Sequence, residues 1–149
     1  MCVLALALGV LRRAYLPAAA ILTAELVAVW LVSDGFKAIF RRARPDYFYS
    51  IHETSYSYAS GHATLSLAAY GFIAYVVCRS ALSRGFKGVV VFAAGVWTLA
   101  IGWSRLSLGA HYATDVIGGY LLATTSLTIA MELYDRASGS RRLVSPPLL

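Results

Sequence analysis

His111 and Asp115 stand four residues apart at what the sequence predicts to be the start of a helix, on one face and one turn from each other. A carboxylate behind an imidazole selects its tautomer and stabilises its charged form, leaving the other nitrogen to attack or to take a proton. An interfacial histidine beside an aspartate would have the same spacing. Arg105 precedes His111 by six residues, and its planar fork suits a bidentate grip on phosphate oxygens. Ser60-Gly61-His62 forms a second group. Ser60 is a natural N-cap, yet a helix start also presents free N–H groups to an anion. Gly61 lets the backbone come close to a ligand, and His62 can protonate a leaving oxygen. The third group runs from Lys37 to Arg44 and is followed by Pro45. Lys37 and Arg44 are two helical turns apart and are expected to share a face. Arg41 can join them, Arg42 is expected to point elsewhere, and Pro45 is expected to end the helix. Fixed cations, a hydroxyl, backbone donors, two imidazoles and a carboxylate are the parts of a phosphate-handling site.

Each group sits at the end of an apolar run. Tyr15 to Ser33, Ala63 to Val77, Gly88 to Trp103 and Tyr112 to Tyr134 approach the roughly 20 residues that cross a bilayer. The second and third reach that length only if they extend through their polar flanks. Runs of alternating direction bring all three groups to one membrane face. Met1 to Leu11 would span about 16 Å as a helix and reads as a partial span. The expected fold is therefore all-α: an integral-membrane bundle of four complete spans with a partial N-terminal helix, over residues 1–135. Residues 136–149 read as a disordered cytoplasmic tail. Ala68, Ala69, Ala93, Ala94, Gly95, Gly118 and Gly119 are small enough to let helix backbones approach one another.

Arg12, Arg13, Arg79, Arg84, Lys87, Arg136, Arg141 and Arg142 would lie on one side of the membrane, against Lys37, Arg41, Arg42, Arg44 and Arg105 on the other. The larger basic group is expected in the cytoplasm, which turns the three clusters outward across a bacterial-type plasma membrane. Trp30, Trp103, Tyr47, Phe48, Tyr49, Tyr56 and Tyr58 suit the headgroup level.

Composition agrees with a lipid solvent. The 149 residues are 59% hydrophobic and 13% charged, with mean hydropathy +0.67, whereas a soluble domain carries roughly 25% charged residues. The net charge of +6 does not indicate a nucleic-acid partner, because the cations fall in short groups flanking apolar runs. Cys2 and Cys78 have no metal-type spacing and read as small buried hydrophobes. No cleavable signal peptide is recognisable. Glu25, near the middle of the first complete span, is expected to be protonated or paired within the bundle, with packing favoured over a role toward substrate. His52 and Glu53 read as loop surface, and Glu132 and Asp135 as counter-charges to Arg136.

Lys37, six residues, Arg44-Pro45; Ser60-Gly61-His62; and Ser104-Arg105, five residues, His111, three residues, Asp115 together resemble the tripartite signature of the type 2 phosphatidic acid phosphatase superfamily. That fold is shared with vanadium haloperoxidases and bacterial acid phosphatases, and the resemblance covers roughly residues 30 to 125. It implies a two-step reaction without metal or other cofactor. His111 would be the nucleophile, Asp115 would orient it, and His62 would protonate the leaving group and then assist water. Lys37, Arg44, Arg105, Ser60 and the Gly61 amide would hold the phosphoryl oxygens. Ala59 stands where the family usually has proline. Membrane members commonly have six helices, more than the four and a part read here. The implied activity is a lipid phosphatase acting on polyprenyl diphosphate by preference, or on phosphatidate or phosphatidylglycerol phosphate. The alternatives are a phosphotransferase using the same histidine and a truncated, non-catalytic membrane protein. The expected partners are a membrane lipid phosphate and the bilayer, with no nucleic acid and no particular oligomeric state.

Overall fold

The computed structural model describes residues 2–45 and 55–139. Tyr47, Phe48, Tyr49, His52 and Glu53, and residues 140–149 of the expected tail, lie outside the described residues. Four helices follow in order: α1 (Cys2–Phe40), α2 (Gly61–Arg79), α3 (Arg84–Ser107) and α4 (Ala113–Gly139). Tyr15–Phe40, Gly61–Arg79, Arg84–Ser107 and Ala113–Ser138 are long and apolar enough to cross a membrane. The two spans that looked short do extend through their polar flanks.

The N-terminal run is part of α1, which continues through Arg12, Arg13 and Pro17. Proline removes one N–H from the helical ladder, and here the helix carries on beyond it. Helix α1 ends earlier than Pro45. It stops at Phe40, and Arg41 takes a positive φ of 43° while its N–H still reaches the Lys37 carbonyl at 3.0 Å. A residue in that conformation turns the chain off the helical path. Lys37 and Arg44 therefore do not share a helix face, contrary to the expectation from spacing.

Helix α2 packs against the other three, while α3 rests on α2 and only grazes α4. The core forms in two layers along α1, α2 and α4. Val29 meets Ala68 and Ala123 in one, and Ala18 meets Phe72, Leu127 and Ala130 in the other. Small side chains fill the first layer because lipid gives no hydrophobic drive to helix association, so close backbone approach must supply the contact. Gly118 and Gly119 serve the same end: Gly119 faces the Ser60 carbonyl, and Gly118 faces the Tyr58 ring. Ala93 and Gly95 do not join in, being exposed on α3, where nothing approaches within 4 Å of a Cβ placed on Gly95. Cys78 is likewise exposed rather than buried. Phe92, Trp97, Leu99 and Trp103 turn outward, as lipid-facing side chains do.

At the far end Arg79 of α2 pairs with Asp135 of α4 at 2.9 Å, and Glu132 pairs with Arg136. Asp135 thus serves Arg79 instead of Arg136. Glu25 is buried, and both its carboxyl oxygens are without a hydrogen-bond partner among the described residues.

Candidate functional site

The C-terminal end of α1, the N-terminus of α2, the C-terminal end of α3 and the N-terminus of α4 meet at one end of the bundle. The tightest joint is between α2 and α4, where the Ser60 N–H donates to the Asp115 carbonyl at 3.1 Å. Gly119 makes this possible, since any Cβ there would stand 2.8 Å from the Ser60 carbonyl oxygen.

Helix α3 ends in a tight reversal that delivers His111. Leu108 N–H donates to the Ser104 carbonyl, Gly109 takes φ 64° and bonds back to Leu106, and Ala110 N–H reaches the Arg105 carbonyl at 3.1 Å. Glycine fits this left-handed position without a Cβ penalty. His111 lies just before α4, and Asp115 lies in its first turn. The Asp115 carboxylate accepts the Tyr112 N–H at 3.0 Å. This is the backward half of a capping box, and negative charge is favourable at a helix N-terminus.

Asp115 is completely buried and His111 nearly so. The two imidazole nitrogens face different neighbours. Nδ1 stands 3.6 Å from Asp115 Oδ2 and 3.4 Å from Ser57 Oγ, while Nε2 lies 3.4 Å from Arg44 Nη1. Arg44 is held by the Ala110 carbonyl at 2.9 Å and by the Ser55 carbonyl and hydroxyl, each at 2.9 Å. Its guanidinium is therefore fixed against the side of the ring that faces away from the carboxylate.

Ser60 caps α2 by position but its hydroxyl makes no capping bond, and Ser60 Oγ is buried without a partner among the described residues. A buried hydroxyl left unsatisfied is costly, and an oxyanion at this helix start would satisfy it along with the helix N–H groups. Gly61 begins α2, and a Cβ on it would lie 3.9 Å from Lys37 Nζ and 3.8 Å from Ser33 Oγ. Lys37 thus faces the Gly61 backbone across one atom's width. It also pairs with Asp34 at 3.0 Å.

Of the residues singled out from sequence, His111, Asp115 and Arg44 meet in one cluster, and Lys37, Gly61 and Ser60 line the start of α2. His62 is exposed on the first turn of α2. Arg105 is half-buried near the end of α3, where its Nε donates to Ser104 Oγ at 3.1 Å. Arg41 does not join the cations at the site; its Nε bonds the Ala38 carbonyl at 3.2 Å, and the residue is exposed. Arg42, expected to point elsewhere, instead reaches Asp115 Oδ1 at 2.7 Å. Ser57 donates its hydroxyl to Asp115 Oδ2. Neither residue carried a spacing signal, because both enter from irregular chain on either side of the loop between α1 and α2. No cluster of three or more potential metal-ligating side chains occurs among the described residues.

A sequence model of the PAP2 superfamily matches residues 14–138. Phosphatidylglycerophosphatase B of Bacillus subtilis (strain 168) is 38% identical over 94 residues, which are 62% of this chain and 46% of that protein. The chain thus spans about half the length of this curated relative. The crystal structure of the first transmembrane PAP2 type phosphatidylglycerolphosphate phosphatase from Bacillus subtilis superposes with a TM-score of 0.63. That match has 24% identity and covers 93% of this chain and 72% of that one, a likeness of fold. The match runs through all four helices and all three polar clusters, and the chain belongs to the PAP2 superfamily.

Proposed function

We propose that this protein is a metal-independent phosphatase of membrane lipid phosphates that works through a phosphohistidine on His111. The observation that carries the reading is the division of the imidazole, with Nδ1 toward the buried Asp115 and Nε2 toward Arg44. A phosphoryl group gripped by Arg44 would have its phosphorus within reach of Nε2. Attack there forms the Nε2–P bond and breaks the bond to the leaving oxygen, which takes a proton from His62. Asp115 balances the positive charge that develops on the ring. Water, giving its proton to His62, then cleaves the Nε2–P bond and releases inorganic phosphate. Phosphoryl transfer needs positioning and charge neutralisation above all. Lys37, Arg44 and Arg105, with the Ser60 hydroxyl and the Gly61 amide, are the proposed oxygen ligands, and fixed cations do the work a metal does elsewhere.

The site lies at the ends of four helices long and apolar enough to cross a membrane, which supports a substrate whose phosphate sits at the headgroup level. The relatives named as phosphatidylglycerophosphate phosphatases support that lipid as the first substrate to try. Polyprenyl diphosphate, the preference the family resemblance implied, and phosphatidate complete the panel. Counted along the sequence, eight cations flank the opposite ends of the apolar runs against five at the site end, and this excess supports an outward-facing site by the positive-inside rule. The test is phosphate release by detergent-solubilised protein in chelator from each of the three lipids, beside His111→Ala. Release that survives chelation and disappears in the variant is expected. Equal release by the variant would overturn the histidine mechanism.

A further inference from the structure

Asp115 is the most enclosed charge described at this end of the bundle, and its surroundings divide its two oxygens. Oδ1 takes Arg42 Nη1 at 2.7 Å. Oδ2 takes the Ser57 hydroxyl and the Tyr112 N–H, the latter at 3.0 Å, and is the oxygen nearest His111 Nδ1. Three donors from three parts of the chain therefore set the carboxylate's rotation and present one chosen oxygen to the imidazole. Arg42 is itself anchored. The same Nη1 bonds Thr114 Oγ1 at 2.7 Å, and the guanidinium carbon lies 4.1 Å from the centre of the Tyr112 ring. Its carbonyl accepts the Ser57 N–H at 2.8 Å, so the two side chains that grip Asp115 are joined through their backbones.

We infer that Arg42 and Ser57 are a positioning pair that sets the nucleophile through Asp115; this rests on the reading of His111 as nucleophile. A guanidinium near a phosphate site would ordinarily be assigned to the substrate. Arg42 is committed elsewhere: it compensates a carboxylate with no exposed surface, which an unpaired charge could not occupy without a large penalty. Arg44 and Lys37 face the imidazole and the start of α2 instead, where a phosphate would lie. The loop between α1 and α2 thereby acquires a task beyond delivering cations, because both its ends close on the first turn of α4.

The prediction is a kcat effect without a KM effect. Ser57→Ala, which removes one hydroxyl and leaves the ion pair, should lower kcat about 10-fold and leave KM within about 2-fold, losing one charge-assisted hydrogen bond. Arg42→Gln should lower kcat about 100-fold, again at constant KM, and Arg42→Lys should recover most of the loss by restoring the charge. In an Asp115→Asn background each of these substitutions should add less than about 2-fold, since residues acting through one partner are not additive. That background also removes the uncompensated charge, so the paired variants remain measurable if Arg42→Gln alone does not fold. Labelling of the wild-type protein with a radioactive phosphate ester, followed by a test for acid-labile, alkali-stable phosphoprotein, is run in parallel. Absence of phosphohistidine there would remove the underlying reading. Phosphohistidine present, with Ser57→Ala at full kcat, with a KM rise as the main effect of Arg42→Gln, or with additive losses in the Asp115→Asn background, would overturn the positioning pair alone.

Discussion

Gly119→Ala tests the contact that brings α2 and α4 together at the site. The added Cβ would stand 2.8 Å from the Ser60 carbonyl oxygen, 2.8 Å from Thr64 Oγ1 and 3.3 Å from Ala63 Cβ. The Thr64 side chain can turn away, but the Ser60 carbonyl is backbone and already accepts from Thr64 N–H at 3.0 Å. Restoring a contact of roughly 3.4 Å, near the optimum for such atom pairs, requires the helices to part by about 0.6 Å. Overpacking of this kind costs about 1–3 kcal/mol. For a chain of this size the loss lowers the melting temperature by about 3–10 °C. The Ser60–Asp115 hydrogen bond, now 3.1 Å, would stretch beyond its normal range. The start of α2 would move away from His111 by the same amount. Misplacement by 1 Å can cost about 100-fold in rate, so roughly a tenfold fall in kcat/KM is expected. Gly95→Ala is the control, with nothing within 4 Å of its new Cβ, and it should leave activity unchanged and melting no lower, since alanine favours the helix over glycine. Melting would be followed by tryptophan fluorescence in detergent, and phosphate release assayed on the same samples. A Gly119→Ala protein that melts and turns over like wild type would refute the claim that this approach assembles the site.

Gly61→Ala separates fold from function. Its Cβ would meet Ser33 Oγ at 3.8 Å and Lys37 Nζ at 3.9 Å, ordinary contacts, so the melting temperature should hold. Because that Cβ occupies the space between Lys37 and the start of α2, KM should rise about tenfold, equivalent to ~1.4 kcal/mol of lost binding; an unchanged KM would place the phosphate elsewhere. Glu25→Leu removes two buried, unpartnered oxygens from α1 at similar volume. Stability in detergent should rise by about 1–3 kcal/mol, the usual cost of burying an unpaired polar group, with phosphate release intact. Loss of release would assign Glu25 to the reaction rather than to packing.

The expectations that held were those resting on local properties. Apolar runs and flanking cations are readable one segment at a time, and four helices formed where the runs lie. The short runs lengthened through residues such as Gly61 and Arg84, which hydropathy alone undervalues. The His111–Asp115 juxtaposition also held, because four residues across a helix start is a short-range relation. The reading of Lys37 and Arg44 as one helical face did not hold. It assumed a helix running to Pro45, and a single residue at positive φ, Arg41, ended it five residues earlier.

By itself, then, the sequence determined the solvent this chain prefers, the four candidate spans among the described residues and the family. It also indicated that the three motif clusters come to one end of the bundle, since hydropathy, helical period and motif order all act along the chain. Tertiary structure decided which cation belongs to which anion. Arg42 and Arg44 are two residues apart and carry the same side chain, yet one is bound to Asp115 Oδ1 and the other lies against His111 Nε2. That choice depends on how far α1 extends, how the chain turns after it, and how closely Gly119 lets α2 approach α4. Each is a packing outcome, set by excluded volume and by the need to compensate one buried carboxylate.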